Sequence, residues 1–375
     1  MTRSTTGGMI REHPARSLWE ARYVGADGRK HSLYAKTRTE ARERLRAALT
    51  ATDAGMKPIG ARLTVGAWLD EWLETTVAAR CRPSTARSYR DVARRYLRPA
   101  LGGRSLARLT PEDVTGMLVE LTARGDLNPT TVRYAYVVLR IALGRALKSG
   151  RVTRNVAILV DPPTRAAFDL EPLTVDQVGT LRAAIAGHRL EALFLTALGT
   201  GLRQGELLAL RWADVDLEAG TLAVRATLDP LSGMIGEPKT DASRRTLRLP
   251  LPVIAVLRRH RAEQAVARAG ARRWDARGFV FASRTGRPLG SRNVTRELQA
   301  VLVTSGLPRQ RFHDLRHTFA TLQLEAGGDL FEVSRALGHA SITTTANTYG
   351  HFTRAMAERS ADRMTGILGR EAAGS

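Results

Sequence analysis

Two arginines, two histidines, a lysine and a tyrosine in the second half of the chain are of the types that phosphate chemistry uses: Arg203, Lys239, His313, Arg316, His339 and Tyr349. A phosphodiester under attack gathers negative charge on its non-bridging oxygens as phosphorus becomes five-coordinate. Two fixed guanidiniums can grip those oxygens bidentately, and Arg203 and Arg316 are the natural pair. Losing one donor from such a clamp costs roughly a hundred- to a thousandfold in rate. His313, one helical turn before Arg316, shares its helix face and can add a further hydrogen bond. Tyr349 can attack as a phenoxide if a neighbouring imidazole takes its proton. Glu206, three residues after Arg203, is placed to orient that arginine rather than to react.

These residues need elements to hold them. Thr174-Val175-Asp176-Gln177 has capping-box spacing and opens a larger, mainly helical region running to the C-terminus, residues 171–375. Within it, Thr221–Thr227 and Arg245–Leu249 are expected as strands around a Gly- and Pro-containing turn. Arg151–Leu170, with Pro162-Pro163, is a linker. Before it, residues 63–150 carry four amphipathic stripes. The first is Val65, Trp68, Leu69, Trp72, Leu73 and Val77 behind a Thr64 cap, and the second is Tyr89, Val92, Tyr96 and Leu97. A third helix starts at Thr110-Pro111, and a fourth spans about Thr130 to Lys148. This is a helical bundle with arginines facing outward, Arg87 and Arg90 among them. Residues 1–57 form a smaller module. Trp19–Tyr23 and His31–Ala35 alternate like strands about an Asp27-Gly28 turn, and Thr37–Thr52 follows as a helix. The expected fold class is mainly α with small β elements (α+β).

Blander readings apply to several side chains. His313 and His317 stand four apart like two zinc ligands on a helix, but Asp314 occupies the place where that motif needs Glu, and Arg316 would set a cation beside the metal. No metal is expected. His317 and His351 are read as packing residues, and Trp68, Trp72 and Trp212 as core. The glycines at 199, 201 and 205 match neither phosphate-binding loop, so no nucleotide cofactor is expected.

The order Thr200-Gly201-Leu202-Arg203-Gln204-Gly205-Glu206, Pro238-Lys239-Thr240, His313-Asp314-Leu315-Arg316-His317, Leu337-Gly338-His339 and Thr348-Tyr349 closely resembles the tyrosine recombinases, phage integrases in particular. The resemblance is strongest over Leu173–Tyr349. It implies a site-specific recombinase that cuts and rejoins DNA through a 3′-phosphotyrosine, integrating or excising a mobile element without ATP. By the same resemblance Lys239 is the general acid for the 5′-oxygen and His339 bonds the phosphate. Residues 63–150 become a core-DNA-binding bundle, and residues 1–57 an arm-site module with Arg22, Arg29, Lys30, Lys36 and Arg38 near DNA. Implied partners are double-stranded DNA at core and arm attachment sites, a homotetramer on that DNA, and a directionality factor or host DNA-bending protein. The family often has Asn-Pro near the end of the bundle, whereas Val156 follows Asn155 here, which touches only a linker turn. A type IB topoisomerase and a catalytically idle DNA-binding regulator are the alternatives. The intact residue set weighs against the second, since binding needs no nucleophile.

Charge agrees with a polyanionic partner. Lys and Arg outnumber Asp and Glu by 58 to 36, a formal +22 spread as +6 over residues 1–60, +8 over 61–170 and +8 over 171–375. Positive charge on every segment suits a protein that wraps a long polyanion. Cys81 is the single cysteine, which excludes an intrachain disulfide and a multi-cysteine zinc site. Met1–Trp19 lacks the apolar core of a signal peptide, and no apolar run is long enough to span a bilayer, so no membrane and a cytoplasmic location are expected.

Overall fold

The computed structural model describes residues 8–14, 17–25, 28–53, 63–164, 171–230, 232–238 and 241–349, with a few helical positions between 361 and 368. The chain divides into two compact units, Met1–Phe168 and Asp169–Ser375. Among the described residues no helix is long and apolar enough to cross a membrane.

The first unit contains two separate apolar cores. One lies under an antiparallel sheet of Met9–His13, Leu18–Val24 and Lys30–Ala35. The outer strand Met9–His13 is an addition to the expected pair; Met-Ile-Arg-Glu-His has little strand character, and Leu18–Val24 supplies its ladder. Strand alternation sends Trp19, Ala21, Tyr23, Leu33 and Ala35 to one face, where Ala41 and Leu45 of the helix Arg38–Asp53 meet them. Glu20 and Arg22 point to the opposite face. There the Glu20 carboxylate accepts from Arg11 Nε at 2.8 Å, Arg22 Nε at 2.9 Å and Ser32 Oγ at 2.9 Å.

The second core belongs to the helical bundle. Its main helices are Val65–Trp72, Pro83–Val92, Pro111–Ala123 and Pro129–Lys148. The first two each run on through a wider π turn, Leu73–Val77 and Ala93–Leu97. Thr64 caps the first helix by accepting from Ala67 N, and Thr110 forms a full capping box with Asp113. Trp68 and Trp72 are buried, and Trp68 Nε1 donates to the Ala142 carbonyl at 3.0 Å. Asn155 caps the short turn after the bundle, donating to Arg140 O and accepting from Ala157 N.

In the second unit the helix Glu191–Thr200 is apolar around nearly its whole circumference and therefore sits inside. It packs against Leu251–Ala269 and Asp314–Glu325. Thr174 and Gln177 form the expected capping box at the head of Val175–Ile185. The expected strand pair is Thr221–Val224 with Arg245–Arg248, and Val215–Asp216 joins it as a third strand. A separate two-stranded ladder pairs Thr227–Leu228 with Ile235–Gly236. Two helices follow Asp314–Glu325: Leu330–Leu337 and Ile342–Tyr349.

Candidate active site

The buried helix Glu191–Thr200 ends at Gly201 in a left-handed conformation, φ 61°. A Cβ there would stand 2.5 Å from Phe319 Cδ1, so glycine is required by both backbone and space. The turn buries Leu202 and delivers Arg203, which caps the next helix, Gln204–Ala209. Glu206, buried in that helix, accepts from the Arg203 backbone N–H at 3.0 Å and from its Nη1 at 2.8 Å. The carboxylate thus fixes Arg203 at two points.

Arg316 lies almost fully buried on Asp314–Glu325. Its Nη1 donates to Gly201 O at 2.8 Å and its Nη2 to Leu337 O at 2.7 Å. A guanidinium has five N–H donors, so three remain for an anion. Arg203 Nη2 reaches Gly338 O at 3.5 Å. A third guanidinium, Arg245 from the strand Arg245–Arg248, donates through Nε to Ala336 O at 2.6 Å and through Nη2 to Glu206 at 3.1 Å. Three arginines therefore hold the three successive carbonyls 336, 337 and 338, at the C-terminal end of the helix Leu330–Leu337. That end of a helix carries partial negative charge, which together with Glu206 offsets the crowding of three cations. Burial, and then Arg203, push the Arg316 guanidinium down to about 9. Burial pushes Glu206 up, but Arg245 and Arg203 outweigh it and leave the carboxyl below its ordinary value.

Gly338 ends its helix in the left-handed conformation, φ 66°, and turns the chain to His339. His339 Nδ1 lies 2.7 Å from the hydroxyl of the buried Thr345. His313 begins the helix of Arg316. Burial, then the nearby His317 and arginines, hold His313 down to about 4, and burial with Arg316 and Arg203 does the same for His339. Both are neutral near pH 7. Tyr349 ends the helix Ile342–Tyr349 with 2 % of its surface exposed, packed among Ala320, Leu324, Val333 and Leu337. Burial pushes its phenol up to about 12.

His317 does more than pack. Its Nδ1 lies 2.7 Å from Tyr349 Oη, and its ring meets that of His313 edge-on with centroids 5.1 Å apart. Arg203, Glu206, Arg316 and His339 are linked, directly or through Arg245 and backbone carbonyls, into one cluster. Tyr349 joins through His317. Lys239 and His351 lie outside the described residues. Arg245 and His317 are the site members that the sequence motifs do not single out. Among the described residues no group of three or more His, Cys, Asp or Glu is arranged to hold a metal.

The other expected DNA contacts fall on exposed surface. Arg22, Arg29, Lys30, Lys36 and Arg38 are exposed on the N-terminal sheet and the adjoining turn and helix, and Arg38 stands over the Trp19 ring. Arg87 and Arg90 are exposed three residues apart on Pro83–Val92.

A buried tyrosine near a cluster of three arginines, carried on a mainly helical unit that follows a helical bundle in the chain, is in keeping with the resemblance to tyrosine recombinases. Comparison with known proteins agrees. Residues 171–356 match the phage integrase family, and residues 64–121 match the phage integrase N-terminal SAM-like domain. An integrase of Streptomyces ambofaciens is 31% identical over 346 residues, 89% of this chain and 88% of that protein. A tyrosine recombinase XerC-like protein of Caldanaerobacter subterraneus is 29% identical over 345 residues, 86% of this chain and 88% of its own length. Among solved structures, the Tn1549 transposon integrase in complex with transposon right end DNA superposes with a TM-score of 0.68 at 23% identity, covering 80% of this chain and all of that one. A lambda integrase dimer bound to a COC′ core site gives 0.59 at 20% identity over 92% and 96%. The chain belongs to the phage integrase family and is a site-specific DNA recombinase.

Proposed function

We propose that this recombinase cuts one DNA strand by attack of Tyr349 on a phosphodiester held by Arg203 and Arg316. Phosphorus becomes joined to Tyr349 Oη, the 5′-oxygen leaves, and Lys239 supplies that oxygen with a proton. His313 and His339 add hydrogen bonds to the non-bridging oxygens. A 5′-hydroxyl from a partner strand then displaces the tyrosine, so the 3′-phosphotyrosine conserves the energy of the broken bond. The observation that carries this reading is the convergence of Arg203 and Arg316 on neighbouring carbonyls, with Tyr349 packed against the same helix end.

Exchange of two duplexes requires four cuts. With one Tyr349 per chain, four protomers are required on the DNA. The Tn1549 and lambda integrase structures contain DNA, the latter a core site, and their likeness supports DNA binding by this chain. Core-site binding falls in this reading to the bundle and arm-site binding to residues 1–57. A directionality factor or host DNA-bending protein completes the proposed assembly, acting in the cytoplasm where the DNA lies.

Tyr349→Phe tests the reading. The variant keeps the ring in its apolar seat, binds core DNA normally and forms no covalent adduct with a nicked substrate on a denaturing gel. An adduct persisting in the variant overturns the assignment.

A further inference from the structure

We propose that His317 is a catalytic residue of this reaction: its Nδ1 takes the proton of Tyr349 Oη during attack and returns it during rejoining. This deepens the proposed reaction and rests on Tyr349 being its nucleophile.

Geometry carries the inference. Among the described residues, the hydrogen bond at the reacting oxygen is the one between Tyr349 Oη and His317 Nδ1, 2.7 Å apart. The distance is that of a short, well-formed bond, within reach of direct proton transfer. His317 follows Arg316 on the same helix, so the base and the phosphate grip are mounted on one rigid element. The pair is partly sheltered from water, since Tyr349 is buried and His317 half-buried. A hydroxide from solvent is thus a poor substitute.

The charges around the imidazole fit the role. Burial lowers its proton affinity, Asp314 raises it, and Arg316 and Arg311 lower it, with a net fall from the ordinary value. The ring is neutral before reaction. With its own proton on Nε2, the Nδ1 lone pair faces the phenol. During cleavage the Tyr349 Oη–phosphorus bond forms and the phosphorus–O5′ bond breaks. The phenol proton moves to Nδ1, leaving an imidazolium, while the departing O5′ takes its proton from the general acid. In rejoining, the incoming 5′-hydroxyl attacks phosphorus and gives its proton back to the deprotonated general acid, the phosphorus–Tyr349 bond breaks, and the released Tyr349 oxygen recovers its proton from His317. His313 sits edge-on to His317 and is left to serve the phosphate.

The test uses the full chain and a nicked core-site duplex under single-turnover conditions. His317→Asn offers an amide oxygen near the Nδ1 position, which can accept a hydrogen bond but cannot carry the proton. Cleavage should slow by about 10²- to 10⁴-fold, the usual worth of a general base. Replacing Tyr349 by a ring-fluorinated tyrosine makes the phenol more acidic, and the His317→Asn penalty should then shrink to less than about tenfold. A His317→Asn protein as fast as wild type overturns the proposal, because hydrogen bonding alone would then suffice. An unchanged penalty with the fluorinated nucleophile also overturns it, by making His317 a structural residue. His317→Gln is run in parallel, with core-site binding as the check on folding; loss of binding by both variants likewise counts against the base. Tyr349→Phe separates the two layers. An adduct in that variant defeats the nucleophile assignment itself, whereas a silent Tyr349→Phe with fast His317 variants defeats only the base.

Discussion

Glu206 and Arg245 form a buried ion pair, Nη2 to Oε2 at 3.1 Å, although they stand on a helix and a strand 39 residues apart in sequence. The same carboxylate secures Arg203, so one negative charge serves two guanidiniums. Glu206→Gln should leave both cations without their counter-charge in a poorly solvated place. Breaking such a buried pair costs roughly 3–5 kcal/mol. The variant should unfold at lower denaturant and form adduct about a hundredfold more slowly. The folded carboxyl lies below its ordinary value, so this stabilisation is complete above that value and is lost as pH falls through the lowered one. Chemical unfolding followed from pH 7 downward should show the acid loss in wild type and a weaker one in Glu206→Gln. Equal curves would remove Glu206 from the account.

The histidines give a second acid-sensitive feature with a different window. His313 and His339 titrate at about 4 when folded, against about 6.5 in an unfolded chain. Between those values the unfolded chain binds more protons, so stability rises with pH there. The contribution is complete above about pH 6.5 and is lost as pH falls toward 4. The melting temperature should fall across that interval, and the double variant His313→Gln/His339→Gln should flatten the fall. Core-site DNA brings an anion beside both rings, raises their proton affinity and should also reduce the slope. A double variant with the wild-type slope would show that other groups govern it.

The N-terminal sheet offers a separable test. Glu20 is buried beneath Arg22 and Arg11, which with Ser32 hold its carboxyl down to about 2, and so ties both arginines to one face of the sheet. Removing residues 1–57 should leave cleavage of an isolated core site near wild type. Binding of a full attachment site should become less salt-sensitive, its log–log slope falling by about 0.9 for each phosphate that the shortened chain no longer neutralises. Recombination of the full site should drop sharply, because linkage to a second site raises local concentration without any additional interface. Undiminished recombination by the truncated chain would reduce the module to an appendage.

Much of this architecture is legible in the amino-acid sequence. Thr64, Thr110 and Thr174 announce helix starts through chemistry local to each cap, and all three accept the expected backbone N–H. Arg203, His313, Arg316, His339 and Tyr349 are legible because short motifs in a fixed order carry them. Arg245 is not. It lies in Ser243-Arg244-Arg245-Thr246-Leu247-Arg248, where Arg244 is well exposed, and only the remote helix Leu330–Leu337 makes one of these arginines special. The part played by His317 is hidden for a similar reason. Its spacing from His313 shows a shared helix face, but only the return of Ile342–Tyr349 places a phenol against it.

The three arginine contacts at positions 336–338 are all made to main-chain oxygens. The Ala336 side chain takes no part in those contacts, so mutation there can drift without loosening the guanidiniums, whereas Leu337 is fixed by its packing beside Tyr349. Chain length is another matter. One inserted or deleted residue in that turn would rotate the carbonyls by about 100°, the angle per residue of an α-helix, and cast off all three cations together. The segment is thus strict in count at all three positions, and in spelling at Leu337, which is buried, and Gly338, which is left-handed. Descendants of this gene should therefore vary the letter at Ala336 far more readily than the length of the turn.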